Sequence, residues 1–179
     1  DIEGIREMLS ISRSALSEKM GIPPTDDRLE HFRWYMQYLL DTTATIMFEA
    51  NTIKGAGGII ATDLDTMPAA LLIKATKNIP IFYDAHEYWP EADVNSSPWE
   101  ISYWEGLESR LVHHADYCQT VSPGLARLMS KQYGTTFNYV PNCELPGHAL
   151  ADRPKKASGD TCKFLFLGGF APGRGIDLL

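Results

Sequence analysis

Along the first third of the chain, apolar residues recur at helical spacing. Ile2, Ile5, Met8, Leu9, Leu16 and Met20 share one stripe, which stops at Gly21 ahead of Pro23-Pro24, so the spacing predicts one helix ending there. Leu29, Phe32, Met36, Leu39 and Leu40 repeat the pattern after Asp27, which with Glu30 resembles a capping box. Ile46, Met47, Ala50 and Ile53 carry it on to Gly55, as one long helix or two. Trp34, Trp99 and Trp104 fall on helical stripes and are expected in the core.

Beyond Gly57-Gly58 the texture changes to short β-type runs alternating with amphipathic stretches. Ile59–Thr62 reads as a strand, and Thr66–Lys77 as a helix with Pro68 in its first turn. Ile79–Tyr83 reads as the next strand, followed by a polar loop from Asp84 to Ser96. Ser97-Pro98-Trp99-Glu100 supplies an N-cap, a proline at the first helical position and a glutamate reaching back, which starts a helix to about His114. Tyr117–Val121 is a strand, Ser122-Pro123 begins a helix that ends at Gly134, and Phe137–Val140 is a further strand. The alternation predicts an α/β, Rossmann-like domain with a parallel sheet and helices on both faces.

From Cys143 to Thr161 the composition turns to Pro, Gly, Lys and Asp without periodicity, which marks a linker over 143–161. Lys163–Leu167 then reads as a buried strand running into Gly168-Gly169 and a helix start, so residues 162–179 open a second domain. The first residue is Asp1, and no strand with a glycine turn precedes the first helix, so the expectation is a piece cut at both ends. Residues 1–142 would form a domain lacking its first strands.

Composition narrows the classes. The 179 residues are 44% hydrophobic, which suits a globular core, and contain no run of the ~18 apolar residues that a membrane span needs. The net charge of −7 argues against a nucleic-acid groove. Cys118, Cys143 and Cys162 have no C-x-x-C spacing, so neither a disulfide framework nor a zinc site is read, and a reducing cytoplasm is the expected compartment. His113-His114 with Asp116 is not read as a metal site, because adjacent helical histidines point in different directions.

In an open parallel sheet the ligand crevice lies beyond the carboxyl ends of the strands. The residues there are polar: Asp63 and Asp65, then Asp84, His86 and Glu87, then Ser122 and Asn142. His86 and Glu87 bring an imidazole and a carboxylate together, enough for acid–base work or for holding sugar hydroxyls. Asp84 reads instead as a cap on the following loop. Trp89, in that loop, is a candidate to line the crevice. Gly168, Gly169 and Arg174 suggest a phosphate turn, in which backbone N–H groups, a helix N-terminus and a guanidinium meet an anion.

Taken in order, Thr62-Asp63-Leu64-Asp65-Thr66-Met67-Pro68, Tyr83-Asp84-Ala85-His86-Glu87, Thr120-Val121-Ser122-Pro123, Val140-Pro141-Asn142 and Phe166-Leu167-Gly168-Gly169 with Gly173-Arg174-Gly175 resemble the group 1 (family 4) glycosyltransferases. The resemblance covers roughly residues 58 to 179. It implies a GT-B architecture, with the acceptor mainly on the first domain and the nucleotide-sugar donor mainly on the second. It further implies a retaining sugar transfer to an acceptor hydroxyl, on a carbohydrate or lipid-linked acceptor, without cofactor or metal. Under it, Asp63, His86 and Glu87 are catalytic, and Asp65, Trp89 and Ser122 face the acceptor cleft. Gly168, Gly169 and Arg174 approach the donor diphosphate. Two positions depart from the pattern: Thr62 stands where many relatives carry histidine, and Gly169 where an arginine often follows the first glycine. A nucleotide-sugar epimerase on the same plan and a non-catalytic sugar-binding scaffold are the alternatives. The piece alone is expected to be inactive, and peripheral membrane contact is left open.

Overall fold

The computed structural model describes residues 2–143 together with 165, 167 and 168. The chain divides into two compact units, Asp1–Pro141 and Asn142–Leu179. The linker and second domain expected at 143–161 and 162–179 lie almost entirely outside the described residues.

The first unit starts with three helices, α1 (Ile2–Ser10), α2 (Arg13–Met20) and α3 (Arg28–Thr52). One helix was expected over the first two. The chain breaks at Ser12 because its hydroxyl turns inward to accept the Ala15 N–H at 3.2 Å and so caps a new helix. Gly21 ends α2 in the left-handed conformation, φ 66°. The apolar run from Leu29 onward is one helix of 25 residues. Its expected capping box is absent: Asp27 makes no side-chain cap, Glu30 pairs with Arg13, and Asp26 accepts the Arg28 N–H at 3.0 Å.

Strands and helices then alternate: β1 (Ile59–Thr62), α4 (Met67–Lys77), β2 (Ile81–Ala85), α5 (Pro98–Val112), β3 (Tyr117–Thr120), α6 (Pro123–Tyr133) and β4 (Phe137–Tyr139). The four strands are parallel and lie in sequence order β1-β2-β3-β4. The capping box read at Ser97 forms, with the Ser97 N–H on Glu100 at 2.7 Å and the Glu100 N–H on Ser97 at 3.3 Å.

Register decides what each face carries. Ala61, Tyr83, Cys118 and Phe137 stand side by side across the sheet and are buried. The row before them, Ile60, Phe82 and Tyr117, is 73%, 43% and 38% exposed. Helices α4 and α6 pack on the strands, and α3 in turn packs on α4, all contributing to one core that includes the buried row. The expectation of helices on both faces is therefore not met among the described residues: one face is covered and the other is open. Strand order explains this. Successive right-handed crossovers that always advance to the next strand deliver every helix to the same side, whereas cover on both sides needs a reversal of strand order.

Trp34 corrects the sequence reading as well. It is 60% exposed on α3, stacked on His31 and Tyr38, while Trp104 is buried and Trp99 half-buried. No helix among the described residues is long and apolar enough to cross a membrane.

Within the core sits a carboxylate. Glu108 on α5 has no solvent exposure, and it accepts the hydroxyls of Tyr83 on β2 and Tyr133 on α6, each at 2.7 Å. Burial pushes its carboxyl above the ordinary range, with the two hydroxyls pulling the other way. Tyr83→Phe or Tyr133→Phe should cost about 1–3 kcal/mol in denaturant unfolding, because each leaves a buried oxygen short of a partner. Since folding raises this carboxyl's affinity for a proton, its contribution to stability is largest below about pH 4.3 and declines as pH rises through the folded-state value. Compared with Glu108→Gln, the native chain should therefore lose relative stability between acid and neutral pH. A constant difference across that range would remove the raised carboxyl from the account.

Candidate functional site

The carboxyl ends of β1 and β2 are locked together by Asp63. Its N–H donates to the Asp84 carbonyl at 3.0 Å, and its Oδ1 accepts the backbone N–H of His86 at 2.8 Å. To do both, Asp63 takes φ 59°, one of two positive-φ residues other than glycine among those described. An L-residue with this backbone stores strain, and such strain concentrates where a strand end must aim a side chain. Thr66 adds a brace, its hydroxyl donating to the Thr62 carbonyl at 2.8 Å.

Asp65 lies in the short 3₁₀ turn Leu64–Thr66 that follows. Burial first, then the neighbouring Asp63 charge, pushes its carboxyl above the ordinary range. Asp65 and Asp63 act in turn on Tyr35 of α3, whose phenol is shifted upward chiefly by burial. The Tyr35 hydroxyl is buried and without a hydrogen-bond partner. Trp89, at the start of a second 3₁₀ turn (Trp89–Glu91), packs on Tyr35 with ring centroids 5.9 Å apart.

His86 is 41% exposed at its side chain, and its Nε2 lies 3.2 Å from Oδ2 of Asp84. The other Asp84 oxygen accepts Gln119 Nε2 at 3.0 Å, so a neighbouring strand fixes the carboxylate that fixes the imidazole. With the proton on Nε2, donated to Asp84, Nδ1 is left as a lone-pair acceptor. A histidine so oriented by a carboxylate can take or hold the proton of a hydroxyl placed against it.

The sequence-derived candidates thus separate. Asp63, Asp84 and His86 are joined by direct bonds, and Asp65 and Trp89 border Tyr35 beside them. Glu87 is exposed. Ser122 is occupied as the cap of α6, accepting the Leu125 N–H at 3.2 Å. Gly168 lies in a bend of the second unit, while Gly169 and Arg174 fall outside the described residues.

Asp84 is the correction of most consequence: read from sequence as a loop cap, it holds the imidazole. The available signal was its spacing, because residues two apart on a strand point the same way, and His86 directly continues β2. Tyr35 and Gln119 carried no local signal, since only the tertiary fold and the strand register bring them to the site. Comparison with protein-family models, with curated proteins and with solved structures returns no match.

Asp65 supplies a direct test. Its carboxyl, followed by NMR, should titrate above the usual aspartate value of about 3.9, and Asp63→Asn should bring it down by removing a like charge. An unchanged value in the variant would show that Asp63 does not act on it.

Proposed function

We propose that the chain carries the acceptor side of a retaining glycosyltransferase of GT-B architecture, which moves a sugar from a nucleoside diphosphate to the hydroxyl of a carbohydrate or lipid-linked acceptor. The observation that carries the reading is the linked group Asp63–Asp84–His86, placed at the carboxyl ends of adjacent parallel strands with Asp65 and Trp89 alongside. That position is where open α/β sheets place ligands.

Each residue has a task that its surroundings suit. His86 Nδ1 accepts a sugar hydroxyl while Asp84 holds the ring. Asp65, half-buried, is a second acceptor whose strength rises as substrate excludes water. Trp89 offers a ring to the apolar face of a pyranose. Glu87, solvent-facing, can reach a hydroxyl at the rim. The ordered motif resemblance supports the same reading, with Gly168, Gly169 and Arg174 assigned to the donor diphosphate.

Calorimetric titration of the chain with a panel of oligosaccharides and nucleotide sugars tests it. A saccharide acceptor should bind saturably, and His86→Ala and Asp65→Asn should each weaken binding about tenfold, the equivalent of one hydrogen bond to a charged group. Circular dichroism should show both variants folded. Absence of binding across the panel, or binding indifferent to both substitutions, would sink the proposal.

A further inference from the structure

A cavity that Tyr35 helps to line lies between the first half of α3, the loop after β2 and the start of α5. Its volume is about 120 Å³, and its lining includes Phe32, Tyr35, Trp89 and Trp104 together with the carboxylate residues Asp93 and Glu100. Ligand pockets for drug-sized molecules run to about 300–1,000 Å³, so this one has room for a small group and not for a whole saccharide.

The rings form a partial cage. Tyr35 meets Trp104 edge-on at 5.5 Å and tilts against Trp89 at 5.9 Å, while Phe32 tilts against Trp104 at 5.9 Å. Aromatic walls around a small space attract a cation through the negative faces of the rings, most strongly when the site is shielded from water. Phe32 and Trp104 are buried and Tyr35 and Trp89 half-buried, while Asp93 is exposed, so the cavity is shielded on its ring side and open to water on its acidic side.

The charges around the cavity match. Glu100 uses Oε2 to accept the Ser97 N–H, and Asp93 uses Oδ1 to accept Asn95. These bonds fix both carboxylates without neutralising them. The neighbouring cation, Arg28, feels the charges of Glu100 and Asp93, but its N–H groups are taken by Asp26, through Nε at 3.1 Å and Nη2 at 2.8 Å, and by the Asn95 carbonyl, through Nη1 at 3.2 Å. His31 at the rim stacks on Trp34 at 5.9 Å. Two acidic side chains therefore face a ring-lined hole with no ammonium of the described residues placed in it.

We infer that this cavity binds a small organic cation, an alkylated or primary ammonium group, held by the rings and by the field of Asp93 and Glu100. The cation site uses different carboxylates from the proposed sugar site, Asp93 and Glu100 in place of Asp65, and shares Tyr35 and Trp89 with it; the comparison of a charged with an uncharged probe does not depend on sugar transfer.

The test uses tetramethylammonium chloride as probe, with tert-butanol as the uncharged molecule of similar shape and sodium chloride as salt control. Indole N–H resonances, assigned by single Trp→Phe changes, report the site. Tetramethylammonium should shift those of Trp89 and Trp104 saturably and leave that of Trp34 in place. Its affinity should exceed that of tert-butanol at least about tenfold, in line with a cation–π site shielded on its ring side. Asp93→Asn with Glu100→Gln, which keep an oxygen acceptor for the loop and the helix cap, should weaken the cation about tenfold and leave tert-butanol unchanged. Equal affinity for the two probes would reduce the cavity to an apolar hole and overturn the inference. So would the lack of any saturable indole shift, or a neutral saccharide occupying the cavity in preference to the cation.

Discussion

The contact on which this domain most depends is the carboxylate of Glu108 held between two tyrosine hydroxyls. A buried charge is costly unless it is hydrogen-bonded on every side, and here each oxygen has one phenol at 2.7 Å. The donors come from β2 and α6 while the acceptor comes from α5, so one polar centre ties together a strand and two of the helices that cover it. Apolar packing alone tolerates small slides between helix and strand. A bidentate clamp of this kind does not, and it sets where α5 and α6 stand on the sheet.

That fixed frame is what allows the strand ends to do something specific. Parallel pairing brings Thr62 level with Asp84 and Asp84 level with Gln119, so a carboxylate and its amide support arrive together by register. Asp63 then spends backbone strain to reach across to the next strand's loop. The imidazole of His86 is therefore oriented by groups on three successive strand ends. Tyr35 closes the arrangement from α3, its ring shared between the acidic strand ends and the aromatic cavity.

How much of this could be read in the sequence follows from the range over which each interaction acts. The Ser97 box, the long apolar stripe of α3 and the strand–helix alternation are local signals and emerged where the pattern put them. The break between α1 and α2 was missed because the hydroxyl of Ser12 competes with the helix, an effect that apolar spacing does not register. Trp34 was misplaced because a stripe predicts which residues share a face and not where the burial boundary falls across an aromatic-rich helix. The candidate positions Asp63, Asp65 and His86 were found from strand-end location, whereas the partnership of Asp84 with Gln119 depends on register between strands, which no single segment encodes.

The open row Ile60, Phe82 and Tyr117 divides β1, β2 and β3 into two interleaved alphabets. Ala61, Tyr83 and Cys118 are hemmed in by neighbours on all sides, so volume and shape restrict what can stand there. The adjacent positions answer chiefly to β propensity and to cross-strand ring contact, as between Phe82 and Tyr117 at 5.9 Å. At these three pairs of neighbours, tolerance to substitution accordingly changes from one residue to the next, until Asp84 and Gln119 bring the site's own demands to the open face.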